Sequence, residues 1–170
     1  MLLRLISIII LIYVFAVAQN SFFAHFSIMG IAPNLVLIFY FLVIFFSTQN
    51  EFYSWENYFW AVYTGLLLDV FSHNNLGTSV ILLLIIMYLV KKSLQLLWER
   101  SKKYSIIYFV NLFIVSLIFY WFFSKLDDFI IDWRIFIVLA YNLALAVLGF
   151  FVFEKLKIFK GKERQLKLFK

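Results

Sequence analysis

The chain alternates long apolar runs with short polar connections, and this alternation predicts an all-α membrane protein with six transmembrane helices. The predicted spans are residues 2–20, 33–47, 57–71, 76–91, 104–123 and 133–153, and a basic tail follows at 154–170. Because a helix rises 1.5 Å per residue, the third span covers about 22 Å of a hydrocarbon core about 30 Å thick. We therefore expect that protein shelters its ends or that the bilayer thins around it.

The first apolar run, from Leu2 to Ala18, allows two interpretations. Its last three residues, Ala16-Val17-Ala18, resemble the small-residue site at which a secretory signal is cleaved. The run is also just long enough to span a bilayer, and it continues past Gln19 into further apolar residues. This continuation favours a retained first helix.

Composition supports the assignment to a membrane. The chain is 65% hydrophobic and 14% charged, whereas soluble domains have about 45 to 50% apolar and about 25% charged residues. None of the 170 residues is cysteine. This excludes disulfides, cysteine-ligated zinc, iron–sulfur clusters and thiol nucleophiles, but it leaves the cellular compartment open.

The basic residues predict the orientation of the chain. If the N-terminus is cytoplasmic, thirteen of the fifteen Lys and Arg residues lie on the cytoplasmic side, and only Lys125 and Arg134 lie outside. This asymmetry is the one that the positive-inside rule describes, so both termini are predicted to be cytoplasmic. A basic tail next to a membrane favours contact with anionic lipid, and no nucleic-acid partner is predicted.

One carboxylate stands out among the predicted spans. Asp69 is the only acidic residue inside a long hydrophobic segment, and such a group costs about 2.5 to 3.5 kcal/mol at a helix centre. Ala61 and Gly65 precede it at helical spacing and form a small face that another helix can approach closely. We expect Asp69 to accept hydrogen bonds from the free amides that open the next helix, around Leu76 to Ser79. Partner recognition and ligand or proton chemistry are alternatives.

Other polar or small positions predict packing rather than catalysis. Ala140, Asn142 and Ala144 in the sixth span are candidates for helix contacts. The two histidines, His25 and His73, lie in different connections, and the sequence has neither a helical metal-ligand pair nor a phosphate-binding glycine loop. We therefore predict no enzymatic activity, no catalytic or metal site and no cofactor.

Two short motifs carry a family resemblance. Pro33-Asn34 before an apolar span, and Gly65-Leu-Leu-Leu-Asp69 with Gly77 eight residues later, resemble the MreD family of bacterial rod shape-determining membrane proteins. The positions that match the family are Pro33, Gly65, Asp69 and Gly77. The family often has an acidic residue directly after the proline, and Asn34 departs from that pattern.

The resemblance covers about residues 2–153 and implies a function. It implies a non-catalytic subunit of the bacterial cell-elongation (rod) complex, located in the cytoplasmic membrane and involved in cell shape and lateral peptidoglycan synthesis. Its expected partners are membrane lipid, a single-span protein of the MreC kind, the glycosyltransferase and transpeptidase of elongation and, indirectly, the MreB cytoskeleton.

A second resemblance gives an alternative. MreD-like proteins are similar to the substrate-binding S-components of energy-coupling-factor vitamin transporters, which are also six-helix proteins of about this size. In that case Asp69, His73, Asn74 and Asn75 would be candidate ligand contacts. The first span lacks the Ala-xxx-Ala face through which S-components contact their transmembrane partner, and this favours the MreD interpretation.

The charge asymmetry generates a topological prediction. Ser101→Cys and Arg164→Cys should be protected from a membrane-impermeant thiol reagent in intact cells, whereas Ser27→Cys and Asp128→Cys should be labelled. Since the chain has no cysteine of its own, the background is zero. Labelling of Ser101→Cys from outside the cell would contradict the six-span topology.

Overall fold

The described part of the chain is helical. The structure, a computed structural model, describes residues 2–25, 27, 32–48, 55–72, 75–98, 105–124 and 133–156. These residues contain no strand, and they form six helices: α1 (Leu2–His25), α2 (Leu35–Thr48), α3 (Trp55–Ser72), α4 (Thr78–Trp98), α5 (Ser105–Ser124) and α6 (Arg134–Leu156). The prediction of an all-α chain is confirmed for them.

Four of these helices are long and apolar enough to cross a membrane. Within the described residues they are Ile6–Phe23, Thr78–Leu96, Ile106–Phe123 and Ile135–Lys155, and Leu35–Ser47 in α2 is a shorter apolar segment. The chain is therefore a multi-pass membrane protein. Helix α4 continues past Lys91, where the predicted span ends, to Trp98, and the predicted tail is described only as far as Leu156.

Helix α2 is the centre of the bundle. Every residue from Leu35 to Phe45 is buried, with at most 8% of its surface exposed, because the helix is apolar on all sides and α1, α3, α4 and α6 contact it. With 14 residues it is about 21 Å long. A short helix of this kind needs neighbours that cover its ends, and the four helices around it provide that cover.

Phenylalanine rings fill the space between α2, α5 and α6. Phe45 has its ring centroid 5.1 Å from that of Phe109 and 6.1 Å from that of Phe150, both in edge-to-face geometry. Phe41 contacts Phe113 at 5.1 Å, also edge to face. Aromatic pairs in this geometry gain about 0.5 to 1.5 kcal/mol beyond the burial of their area. This cluster fixes the position of α2 against α5 and α6.

Helices α3 and α4 are antiparallel neighbours whose backbones touch. A Cβ atom on Gly65 would lie 2.5 Å from the Cα and 2.7 Å from the amide nitrogen of Val80. Ala61, one turn earlier, is fully buried. The predicted small face of the third span is therefore buried, and at Gly65 it is occupied by α4. A buried hydrogen bond also joins α2 to α4, because the Tyr40 hydroxyl donates to the Leu83 carbonyl at 2.8 Å.

The glycine contact at α3 and α4 can be tested against a second helical glycine. The three atoms nearest to a Cβ atom on Gly149 would all belong to the Leu42 side chain, the closest being Cδ1 at 2.7 Å, and the end of a leucine side chain can turn away. We expect Gly65→Ala to lower the free energy of unfolding by about 2 to 3 kcal/mol, because backbone cannot yield in the same way. Gly149→Ala should change it by less than about 1 kcal/mol. Thermal unfolding in detergent measures both, and equal effects would contradict the backbone contact.

Candidate functional site

The carboxylate of Asp69 caps the beginning of α4. Its Oδ2 atom accepts the backbone N–H of Gly77 at 2.7 Å, and its Oδ1 atom accepts the N–H of Ser79 at 2.9 Å. The first amides of a helix have no partner inside the helix, and a carboxylate there also interacts favourably with the helix dipole. The hydrogen bonds expected from the sequence are therefore confirmed. The side chain is only 1% exposed.

The turn before α4 explains why these amides reach Asp69. Gly77 has a φ angle of +97°, a conformation that residues with a Cβ rarely adopt. No atom lies within 4 Å of the position that its Cβ would occupy, so the backbone conformation and not the available space requires glycine here. The Thr78 amide donates to the Asn75 carbonyl at 3.2 Å, which closes the turn.

The cap extends to a third helix through a hydroxyl pair. The Ser79 Oγ and Tyr120 hydroxyl oxygens are 3.2 Å apart and buried, so α5 is joined to the start of α4. We call Asp69, Gly77, Ser79 and Tyr120 the Asp69 cluster. Sequence reasoning missed Tyr120, because it lies 41 residues from Ser79 and no local spacing relates the two.

A second cluster caps α2. The Oδ1 atom of Asn142 in α6 accepts the backbone N–H of Asn34 at 2.8 Å, and the Oε1 atom of Gln19 in α1 accepts the N–H of Val36 at 3.2 Å. The Oδ1 atom of Asn34 accepts the N–H of Leu37 at 3.0 Å, which is the usual N-cap contact. We call Gln19, Asn34 and Asn142 the Asn142 cluster. It joins α1 and α6 to the central helix.

The structure changes the interpretation of Pro33 and of two alanines in α6. The predicted second span begins at Pro33, but Pro33 lies before α2, and Asn34 is the capping residue. Asn142 lies inside the bundle, whereas Ala140 and Ala144 are exposed on the outer side of α6. The two alanines therefore do not pack within the described part of the chain.

The exposed surface of α6 has a depression at Ala140. Phe136, Ile137, Ala140 and Tyr141 line an open cavity of about 420 Å³. Phe136 is 74% exposed, and Leu148, further along the same side of the helix, is 63% exposed. We call Phe136, Ala140, Ala144 and Leu148 the α6 face. It is apolar, and its centre consists of small residues.

Two buried polar atoms in α3 have no hydrogen-bond partner among the described residues. They are the Nδ2 atom of Asn57 and the Oγ1 atom of Thr64. The Oδ1 atom of Asn57 lies 2.7 Å from the Ser47 hydroxyl oxygen, which also lies 3.2 Å from the Ile44 carbonyl. These contacts join the end of α2 to the beginning of α3.

The geometry is that of helix caps rather than an open reactive site. Both oxygens of Asp69 accept backbone amides, and among the described residues no group of three or more His, Asp or Glu side chains could hold a metal ion. His73 and Asn74, proposed above as ligand contacts of a transporter, lie outside the described residues. Asn75 is exposed, and its carbonyl closes the turn before α4.

Comparisons with protein families, with curated proteins and with solved structures find no match for this chain.

The cap at Asp69 predicts the effect of removing its charge. Asp69→Asn keeps one acceptor oxygen but turns an NH2 group towards an amide donor, so one buried amide loses its partner. We expect a loss of about 1 to 3 kcal/mol in the free energy of unfolding. Glu154→Gln, at an exposed position near the end of α6, should leave stability unchanged. If Asp69→Asn abolished function at unchanged thermal stability, a charge-dependent partner or ligand would replace the cap as its main role.

Proposed function

We propose that this protein is a non-catalytic membrane subunit of the MreD type. In this proposal it belongs to the bacterial cell-elongation complex and holds a single-span partner of the MreC kind within the membrane. The complex would also contain the elongation glycosyltransferase and transpeptidase, coupled to the MreB cytoskeleton. The protein would cross the cytoplasmic membrane six times, with both termini in the cytoplasm.

The observation that carries the proposal is the position of the residues through which the chain resembles MreD. Gly65 provides the backbone contact of α3 with α4, Asp69 caps α4, and Gly77 forms the turn between them. Pro33 lies just before the cap of α2. The residues of the resemblance thus serve the construction of a helical bundle, which suits a protein that acts by presenting helix faces.

The topology in the proposal rests on how α2 and α3 are packed. Helix α2 is too short to cross an average bilayer alone, but its neighbours bury it on all sides. Helix α3 pairs closely with α4, which is long enough to span. In the proposal, the sheltered helices α2 and α3 cross the membrane together with the four long helices. Six spans would match the layout that MreD-like proteins and transporter S-components share.

The α6 face is the surface that we assign to the partner helix. Association of helices in lipid depends on close packing at small residues, because lipid tails are as apolar as the side chains. Ala61 and Gly65 offer such packing but are buried in the bundle, Gly65 against Val80 of α4. Ala140 and Ala144 offer it on the outside, where an open depression lies beside Ala140.

Two experiments test this function together. Depletion of the protein from its rod-shaped host should give rounded cells. Ala144→Cys should form disulfide crosslinks with cysteines placed in the membrane span of the MreC-type partner, whereas the buried Ala61→Cys should not. Normal rod growth after depletion, combined with lost uptake of a vitamin, would contradict the proposal and favour a transporter S-component.

A further inference from the structure

Asn111 is a polar residue on the lipid-facing side of a membrane span. It lies in α5, five residues after the start of the apolar segment Ile106–Phe123. This places it about 8 Å along the helix axis from that end of the segment. Its side chain is exposed, and so are Ile107 and Val115, one turn before and after it. Asn111 therefore points away from the bundle at a depth where the surroundings are hydrocarbon.

The Asn111 side chain makes no hydrogen bond within the part of the chain that the structure describes. Two outward polar side chains of α1 bond to their own helix: the Nδ2 atom of Asn20 donates to the Ala16 carbonyl at 2.9 Å, and the Ser21 hydroxyl donates to the Val17 carbonyl at 2.7 Å. An unpaired carboxamide in an apolar medium is costly, and the short side chain of asparagine cannot extend to the interface as lysine does. The described part of the chain therefore leaves this carboxamide without a partner at membrane depth.

We propose that this partner is Asn111 of a second copy of the protein. Two copies inserted in the same direction can form a closed dimer only about a two-fold axis along the membrane normal, so identical residues lie at the same depth. A carboxamide carries both donors and an acceptor. Each Asn111 can then donate from Nδ2 to the Oδ1 atom of the other. An unrelated helix need not carry a polar group at this depth.

The rest of the α5 surface provides the packing for this contact. Val115, Ile118 and Phe122 are 59%, 48% and 41% exposed, and they follow Asn111 at intervals of four, three and four residues. This spacing is that of the seam in a left-handed pair of helices, in which a single polar residue sets the register. The dimer surface consists of Asn111, Val115, Ile118 and Phe122, and it shares no residue with the α6 face.

Disulfide crosslinking in native membranes tests the dimer. In the cysteine-free chain of 20.3 kDa, Val115→Cys should give a crosslinked species of twice that mass after mild oxidation. Leu148→Cys, on the α6 face, should not. Adding Asn111→Leu to Val115→Cys should reduce the crosslinked fraction by up to about sevenfold, because two interhelical hydrogen bonds are lost. Adding Asn20→Leu instead should leave it unchanged.

A second measurement separates association from folding. Asn111→Leu alone should keep the thermal stability of the detergent-solubilised monomer, since no bond within the chain is removed. In liposomes of increasing lipid-to-protein ratio, the Asn111→Leu variant should dissociate into monomers at a lower ratio than the unsubstituted protein does. A purely monomeric native protein at all dilutions, equal crosslinking with and without Asn111→Leu, or a crosslink of Val115→Cys to a different protein would each overturn the proposal.

Discussion

The need to satisfy backbone amides in an apolar environment governs this bundle. Helices α2 and α4 begin at partly buried positions, and protein side chains supply the missing partners of their first amides. Asp69 supplies acceptors for α4, and Asn34, Gln19 and Asn142 supply them for α2. Gln19, Asp69 and Asn142 are thus polar residues of one helix placed where another helix starts.

These caps also connect segments that are distant in sequence. Asn142 reaches Asn34 across 108 residues, and Ser79 reaches Tyr120 across 41. Because hydrophobic burial does not drive helices together in lipid, such contacts and the interlocked Phe45, Phe109 and Phe150 rings must supply the specificity of packing. With apolar contacts alone, helix α2 could slide or rotate among its neighbours. The hydrogen bonds at its start fix its position.

Hydrogen bonds between residues that are close in sequence could be predicted, whereas those between distant residues could not. The hydrogen bond from the Gly77 amide to Asp69 spans eight residues and one turn. Because the sequence marks the end of one helix, the turn and the start of the next helix, this bond could be predicted. The bonds to Tyr120 and Asn142 depend on how whole helices are arranged, which no local pattern contains. Likewise Ala61 and Ala144 belong to the same type of small-residue pattern, but packing buries the first and leaves the second exposed.

The caps and the close helix contacts are used within the bundle, so its outer surfaces are left for association with other helices. The α6 face and the exposed side of α5 differ in chemistry. Small residues at Ala140 and Ala144 require only a complementary shape, so many helices can satisfy them and the depth of contact is weakly defined. A carboxamide at Asn111 requires a polar group at one depth, which a second copy always has. In our proposals, the α6 face therefore suits an unrelated partner and α5 suits self-association. A dimer through α5 would use no residue of the α6 face, because the two surfaces have no residue in common.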